Sequence, residues 1–183
     1  VDYIRPEEIP NIDLYMDQVT TFMDDHYSST KRYSDDKILT KTMINNYTKN
    51  NLLPPSVKKK YSREHMLLLI LIYYFKNILS IKDIETVLQP LREKYFSGNN
   101  AVQLSDIYKE VCEMEKSRID PMKASVKEAY EKSQSAFADM PEGEDQDELK
   151  LFAFICSLSF DVYLKKMMIE KIIDELAAKE KEE

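Results

Sequence analysis

Glycine is nearly missing from this 183-residue sequence, which contains only Gly98 and Gly143. Many-stranded sheets with tight turns draw on glycine for positive-φ positions, so the scarcity argues for an all-α chain. Cysteine is as sparse: Cys112 and Cys156 cannot build a disulfide framework, and a reduced, cytoplasmic setting is expected. His26, His65 and the two cysteines show no paired metal-ligand spacing, so no metal or other cofactor is expected. The longest uncharged apolar run, Met66 to Phe75, falls far short of a bilayer span, and no membrane association is anticipated. No basic-then-apolar leader opens the chain, and its start at Val1 suggests a trimmed initiator or an artificial end. Gly-rich phosphate loops, GxSxG and HExxH are all missing, and no histidine stands beside a plausible nucleophile. Catalysis is not expected.

What is present is 43 % hydrophobic residues, enough for a packed core, and a net charge of −7 that is unevenly spread. Residues 1–30 hold one basic and seven acidic side chains (−6), residues 31–95 thirteen and six (+7), and residues 96–183 twelve and twenty (−8). A polyanion responds to the local field within a Debye length of roughly 10 Å, so the basic middle can meet phosphate although the whole chain is acidic.

That middle segment carries the most specific pattern. A scaffold helix is expected from an Asp13 N-cap to about Asp25, with Leu14, Tyr15, Val19, Phe22 and Met23 at helical spacing. A polar loop follows, through residue 37. Thr40 then reads as the cap of a helix over about 40–50, with Leu39 and Ile44 in the places of a hydrophobic staple. At 100° per residue Met43, Ile44 and Tyr47 share one side, while Thr42, Asn45 and Lys49 share the other, with Lys41 and Asn46 at its margins. Asn can pair bidentately with adenine, Thr can touch a thymine methyl, and Lys can neutralise backbone charge. Asn51 suits a left-handed C′ position, and Pro54-Pro55 forbids more helix. Residues 56–61, SVKKKY, read as a short basic wing in which Lys58, Lys59 and Lys60 lie along phosphates, joined by Arg63. Ser62 is the expected cap of a central helix that is apolar all round from Met66 to Phe75. His65 falls in its first turn, where a solvated imidazole is expected. Ser80 and Asp83 make a capping-box start for a further helix, which Pro90 is expected to bend or end.

The series Thr40, Ile44, Tyr47, Leu52-Leu53-Pro54-Pro55, Tyr61-Ser62-Arg63-Glu64 and Ser80-Ile81-Lys82-Asp83-Ile84 resembles the winged helix-turn-helix of MerR-type bacterial regulators. Asn45 and Asn51 stand where that family commonly has arginine and glycine, so base preference is not carried over. Over roughly residues 9–115 the chain resembles the bacterial DUF1836 family (YkrK-like proteins), through IPNIDLYMDQVTTFM and ILTKTMINNYTKNNLLPPSVKKKYS. The resemblance implies a transcriptional regulator.

In the C-terminal half, Gly98-Asn99-Asn100 is an expected hinge, which divides the chain into a DNA-binding domain over 1–98 and a helical region over 99–183. Leu104 to Ser117 and Pro121 to Phe137 read as two helices, with Asp120 capping the second. Residues 139–148 form an acidic linker, and a single long helix follows from Leu149 to about Ala178. Its apolar stripe serves either the chain's own core or a homodimer seam. Nine methionines and twelve tyrosines suit an all-helical core or an adaptable pocket for a small-molecule effector. The expected protein is thus a regulator that binds double-stranded DNA through Lys41, Thr42, Asn45, Asn46, Lys49, Lys58, Lys59, Lys60 and Arg63. The rival is a non-catalytic helical interaction module that does not use DNA.

Overall fold

A computed structural model describes residues 4–141 and 143–179. About 70 % of the chain is helical, and the described residues contain one two-stranded sheet. The chain divides into two compact units, Val1–Cys112 with Leu176–Glu183, and Glu113–Glu175. The division falls inside a helix, not at Gly98, which lies in a loop at φ +70°.

The first unit is organised around one helix. In α3 (Arg63–Phe75) eight consecutive residues, His65 to Ile72, are buried. A helix with no solvent side must be covered from every direction, and the other elements do so. The unit contains α1 (Met16–Tyr27), α2 (Lys41–Lys49), α4 (Ile81–Tyr95) and the opening turns of α5 (Leu104–Gln134); α4 contacts α3 directly, and Tyr27 of α1 packs on Tyr73 of α3. Val19, Met23, Ile44, Leu52, Leu53, Ile84 and Leu88 are almost fully withdrawn from water. Each such side chain contributes on the order of 2 kcal/mol to the core.

Two strands lock the start of α1 to the start of α3. β1 (Leu14–Tyr15) pairs antiparallel with β2 (Lys60–Tyr61), Leu14 opposite Tyr61 and Tyr15 opposite Lys60. This pairing overturns the expected Asp13 cap, and it adds one small sheet to a fold that is otherwise all-α as expected. Residues 14 and 15 are extended because they hydrogen-bond across to 60 and 61, so the helix begins at Met16. Gln18 takes up the Tyr15 N–H at 2.8 Å. The segment before β1 is also fixed, with Ile4 and Ile9 buried, and Tyr108 Oη donates to the Ile4 carbonyl at 2.7 Å.

The second unit holds the rest of α5 and α6 (Glu144–Lys179) up to residue 175, joined by a turn. Gln146, almost buried, closes the turn by donating to the carbonyls of Phe137 and Met140 at 3.0 and 3.1 Å. Tyr130 of α5 packs edge-on against Phe154 of α6. Two expectations fail here. The break at Pro121 does not occur, because a φ near −65° is compatible with a helix and proline removes one hydrogen bond without forcing an end. Asp120 pairs with Lys123 instead of capping. The acidic linker is also shorter than expected. Glu144, Asp145 and Asp147 form the first turn of α6, where carboxylates meet the positive end of the helix dipole. Pro90 likewise lies inside α4 without ending it. No helix among the described residues is long and apolar enough to cross a membrane.

Pro121 is exposed, so alanine there creates no cavity and restores one backbone donor. Pro121→Ala is expected to raise helicity measured by circular dichroism and to add up to about 3 kcal/mol of stability in a denaturant titration.

Candidate nucleic-acid interface

The nine residues of α2 are held at both ends by bonds that their own sequence supplies. At the N-terminus the Thr40 hydroxyl accepts the Met43 N–H at 3.2 Å, and Leu39 and Ile44 are buried as a staple. At the C-terminus Asn51 takes φ 55°, the Leu52 N–H reaches the Tyr47 carbonyl at 2.9 Å, and the Asn51 N–H reaches Thr48 at 3.3 Å. These two bonds form a Schellman motif, with Leu52 and Tyr47 buried together as its apolar contact. The helix therefore cannot turn about its axis. Ile44 and Tyr47 face the core, while Lys41, Thr42, Asn45, Asn46 and Lys49 are all exposed.

Between the Pro54-Pro55 turn and β2 the chain makes a minimal hairpin. Val57 and Lys60 exchange both backbone hydrogen bonds, at 3.0 and 2.9 Å. The two residues between them, Lys58 and Lys59, have φ 50° and 66°. Positive φ at both central positions is the mark of a type I′ turn, which is normally occupied by Asn-Gly. A left-handed residue with a Cβ costs about 1–2 kcal/mol. Two lysines are thus held at an exposed tip in a conformation that disfavours them. Backbone strain of this kind clusters at functional sites.

The remaining expected site residues are placed differently. Lys60 is half-buried, and its ammonium lies 5.2 Å from the centre of the Tyr15 ring, its cross-strand neighbour. Lys41 is ion-paired with Asp17 of α1. Arg63 is turned inward, and its guanidinium donates to the Pro6 carbonyl at 2.7 Å. It ties the N-terminal segment to α3 through one of its five N–H donors.

The largest surprise is His65. It is not solvated but 2 % exposed, wedged edge-on between the rings of Tyr61 and Phe96. Its Nδ1 accepts the Ser62 N–H at 3.0 Å, which leaves the proton on Nε2, 3.3 Å from the Pro55 carbonyl. One imidazole thus joins the Pro-Pro turn, the base of the hairpin and the first turn of α3. A sequence signal existed: His65 stands three residues after the cap Ser62, where a Glu or Gln closes a capping box. Asp17 and Tyr15 join this surface only through tertiary structure, Tyr15 by the strand register that brings it under Lys60 and Asp17 by its ion pair with Lys41.

An open groove near the α4–α5 loop, lined by Glu93, Lys94, Tyr95 and Asn100 among others, is mixed in polarity. Among the described residues no three His, Cys, Asp or Glu side chains converge.

With this geometry in view, the chain belongs to the family described as "Domain of unknown function (DUF1836)", whose model matches residues 4–111. That span covers the α1–α4 assembly and the first part of α5. No curated protein and no solved structure matches the chain.

Burial lowers the His65 pKa below its ordinary 6.5; hydrogen bonds donated to the Pro55 and Pro54 carbonyls and the charges of Glu64 and Asp13 oppose the shift without cancelling it. A protonated Nδ1 also loses its role as acceptor for Ser62. The unfolded chain therefore takes up the proton first, and stability falls as pH drops through 6.5 towards the folded value. His65→Gln is expected to flatten that part of the stability–pH profile, measured by urea unfolding between about pH 7.5 and 5.

Proposed function

We propose that the chain is a DNA-binding transcriptional regulator. In this reading the α1–α2–hairpin–α3–α4 succession works as a MerR-like winged helix-turn-helix. α2 is the recognition helix in the major groove and the Val57–Lys60 hairpin is a short wing. Asn45 and Asn46 read base edges, Thr42 and Lys49 meet a thymine methyl or phosphate, and Lys58 and Lys59 neutralise phosphates. Lys60 is steadied by Tyr15 beside the backbone, while Lys41 reaches phosphate by exchanging its pair with Asp17. Arg63 serves the fold.

The observation that carries the reading is the left-handed Lys58-Lys59 tip, which follows the outward, doubly anchored Thr/Asn/Lys face in the chain. A loop kept only for connection would gain stability from Asn-Gly at those two positions. Two lysines there offset that loss only through something they touch.

The test exploits this opposition. In Lys58→Asn with Lys59→Gly, unfolding stability is expected to rise by about 1–2 kcal/mol. Affinity for any duplex falls, and the slope of log K against log salt becomes shallower by about 2. Asn45→Ala is expected to change sequence preference among duplexes selected from a random pool, by about 1–3 kcal/mol at one base pair. Equal duplex affinity of wild type and the double variant across the salt series overturns the proposal, as does a wild type that binds no duplex. The chain is then a helical interaction module.

A further inference from the structure

The second unit carries far more exposed apolar surface than a chain of its size keeps in water. Seventeen large hydrophobic side chains between residues 113 and 175 are 37–65 % exposed. At on the order of 200 Å² for a fully exposed large side chain, half-exposure of seventeen sums to on the order of 1,500 Å², spread over α5 and several sides of α6, of which the eleven on α6 supply on the order of 1,000 Å². A monomer's largest apolar patch is about 300–600 Å², and a stable interface takes about 800 Å² from each partner.

The arrangement on α6 identifies the occupant. Phe154 points to α5, where it meets Tyr130. At 100° per residue, the side of α6 opposite Phe154 carries Phe152, Cys156, Phe160, Tyr163 and Met167, all exposed and spaced in fours and threes. That is the repeat of a helix seam. The ten residues 151–160 hold no charge at all. Glu148, ahead of this seam, and Lys166, behind it, lie along the same flank, eighteen residues or five turns apart.

We propose that this seam docks on the same seam of a second copy, with the two α6 helices antiparallel about a two-fold axis near residues 157–158. In that register Phe152 meets Tyr163 of the other copy, Cys156 meets Ser159, and Glu148 comes level with Met167, within side-chain reach of Lys166, which exchanges its ion pair with Glu170, each contact occurring twice. Antiparallel helices bring like flanks together, so one flank holding an acid at one end and a base at the other complements itself. A parallel pairing brings unlike flanks together and leaves Glu148 and Lys166 of the two copies five turns apart. The two hairpins together make a four-helix assembly in which the apolar sides of α6 leave water. The inference rests on the second unit alone and stands or falls independently of duplex binding.

The test uses the full chain in sedimentation velocity and light scattering. Wild type is expected at twice 21.6 kDa in the micromolar range. Phe160→Glu with Tyr163→Glu raises the dissociation constant by at least about 100-fold, helicity being checked by circular dichroism. Glu148→Lys and Lys166→Glu each weaken the dimer by about 10-fold, and the two combined in one chain restore it. A short bismaleimide joins Cys156 to Cys156 in wild type and not in the Glu variants. A monomeric wild type at tens of micromolar overturns the proposal. So do an oligomer indifferent to the charge reversals, and a monomer that instead binds neutral lipid vesicles through Phe160.

Discussion

The burial of α3 on every side is the constraint from which the first unit follows. Eight successive side chains without access to water require neighbours at all azimuths, and α4, β2, Tyr27 of α1 and Phe96 are among those that supply them. The entry to this helix is therefore a junction. Ser62 begins it, Glu64 accepts the Ser62 hydroxyl at 2.7 Å, and His65 gathers the Pro-Pro turn and the hairpin base. Arg63, at its first position, draws in the N-terminal segment. An apolar helix that nothing else could satisfy thereby dictates where the polar surface must be.

The polar surface is built by bonds of short sequence range. Thr40 and Asn51 fix α2 from outside its own span, and Leu52-Leu53 carries the chain back to the core before the hairpin leaves it again. Electrostatics around this surface are divided. Asp17 screens Lys41, whereas Lys58 and Lys59 form no ion pair with any described residue. The acidic excess of the whole chain says little about the field at that tip.

Features governed by near neighbours were legible in the sequence. The Thr40 staple, the left-handed Asn51, the Ser80–Asp83 box and the single long final helix each depend on contacts within about five residues, and all four are present. The β1–β2 pair was not legible, since two-residue strands 46 positions apart leave no periodicity. The burial of His65 was not legible either, since its partners, Pro55 and Phe96, come from either side of the helix. Pro121 carries the local signature of a stop, yet it removes only one bond and the helix continues through it. At the candidate interface, the outward face of α2 was readable from 100° steps. The inward turn of Arg63 depended on Pro6, fifty-seven residues earlier.

The length of α2 has a consequence of its own. Nine residues are fewer than the dozen or so that a helix needs to persist alone in water, even with good helix formers. Thr42, Asn45 and Lys49 consequently share a face only while Ile44 and Tyr47 are seated in the core. The spacing of those three groups is a property of the whole folded unit. An excised peptide with the same letters would present them in no fixed order, so the smallest object able to read anything with this surface is the intact assembly around α3.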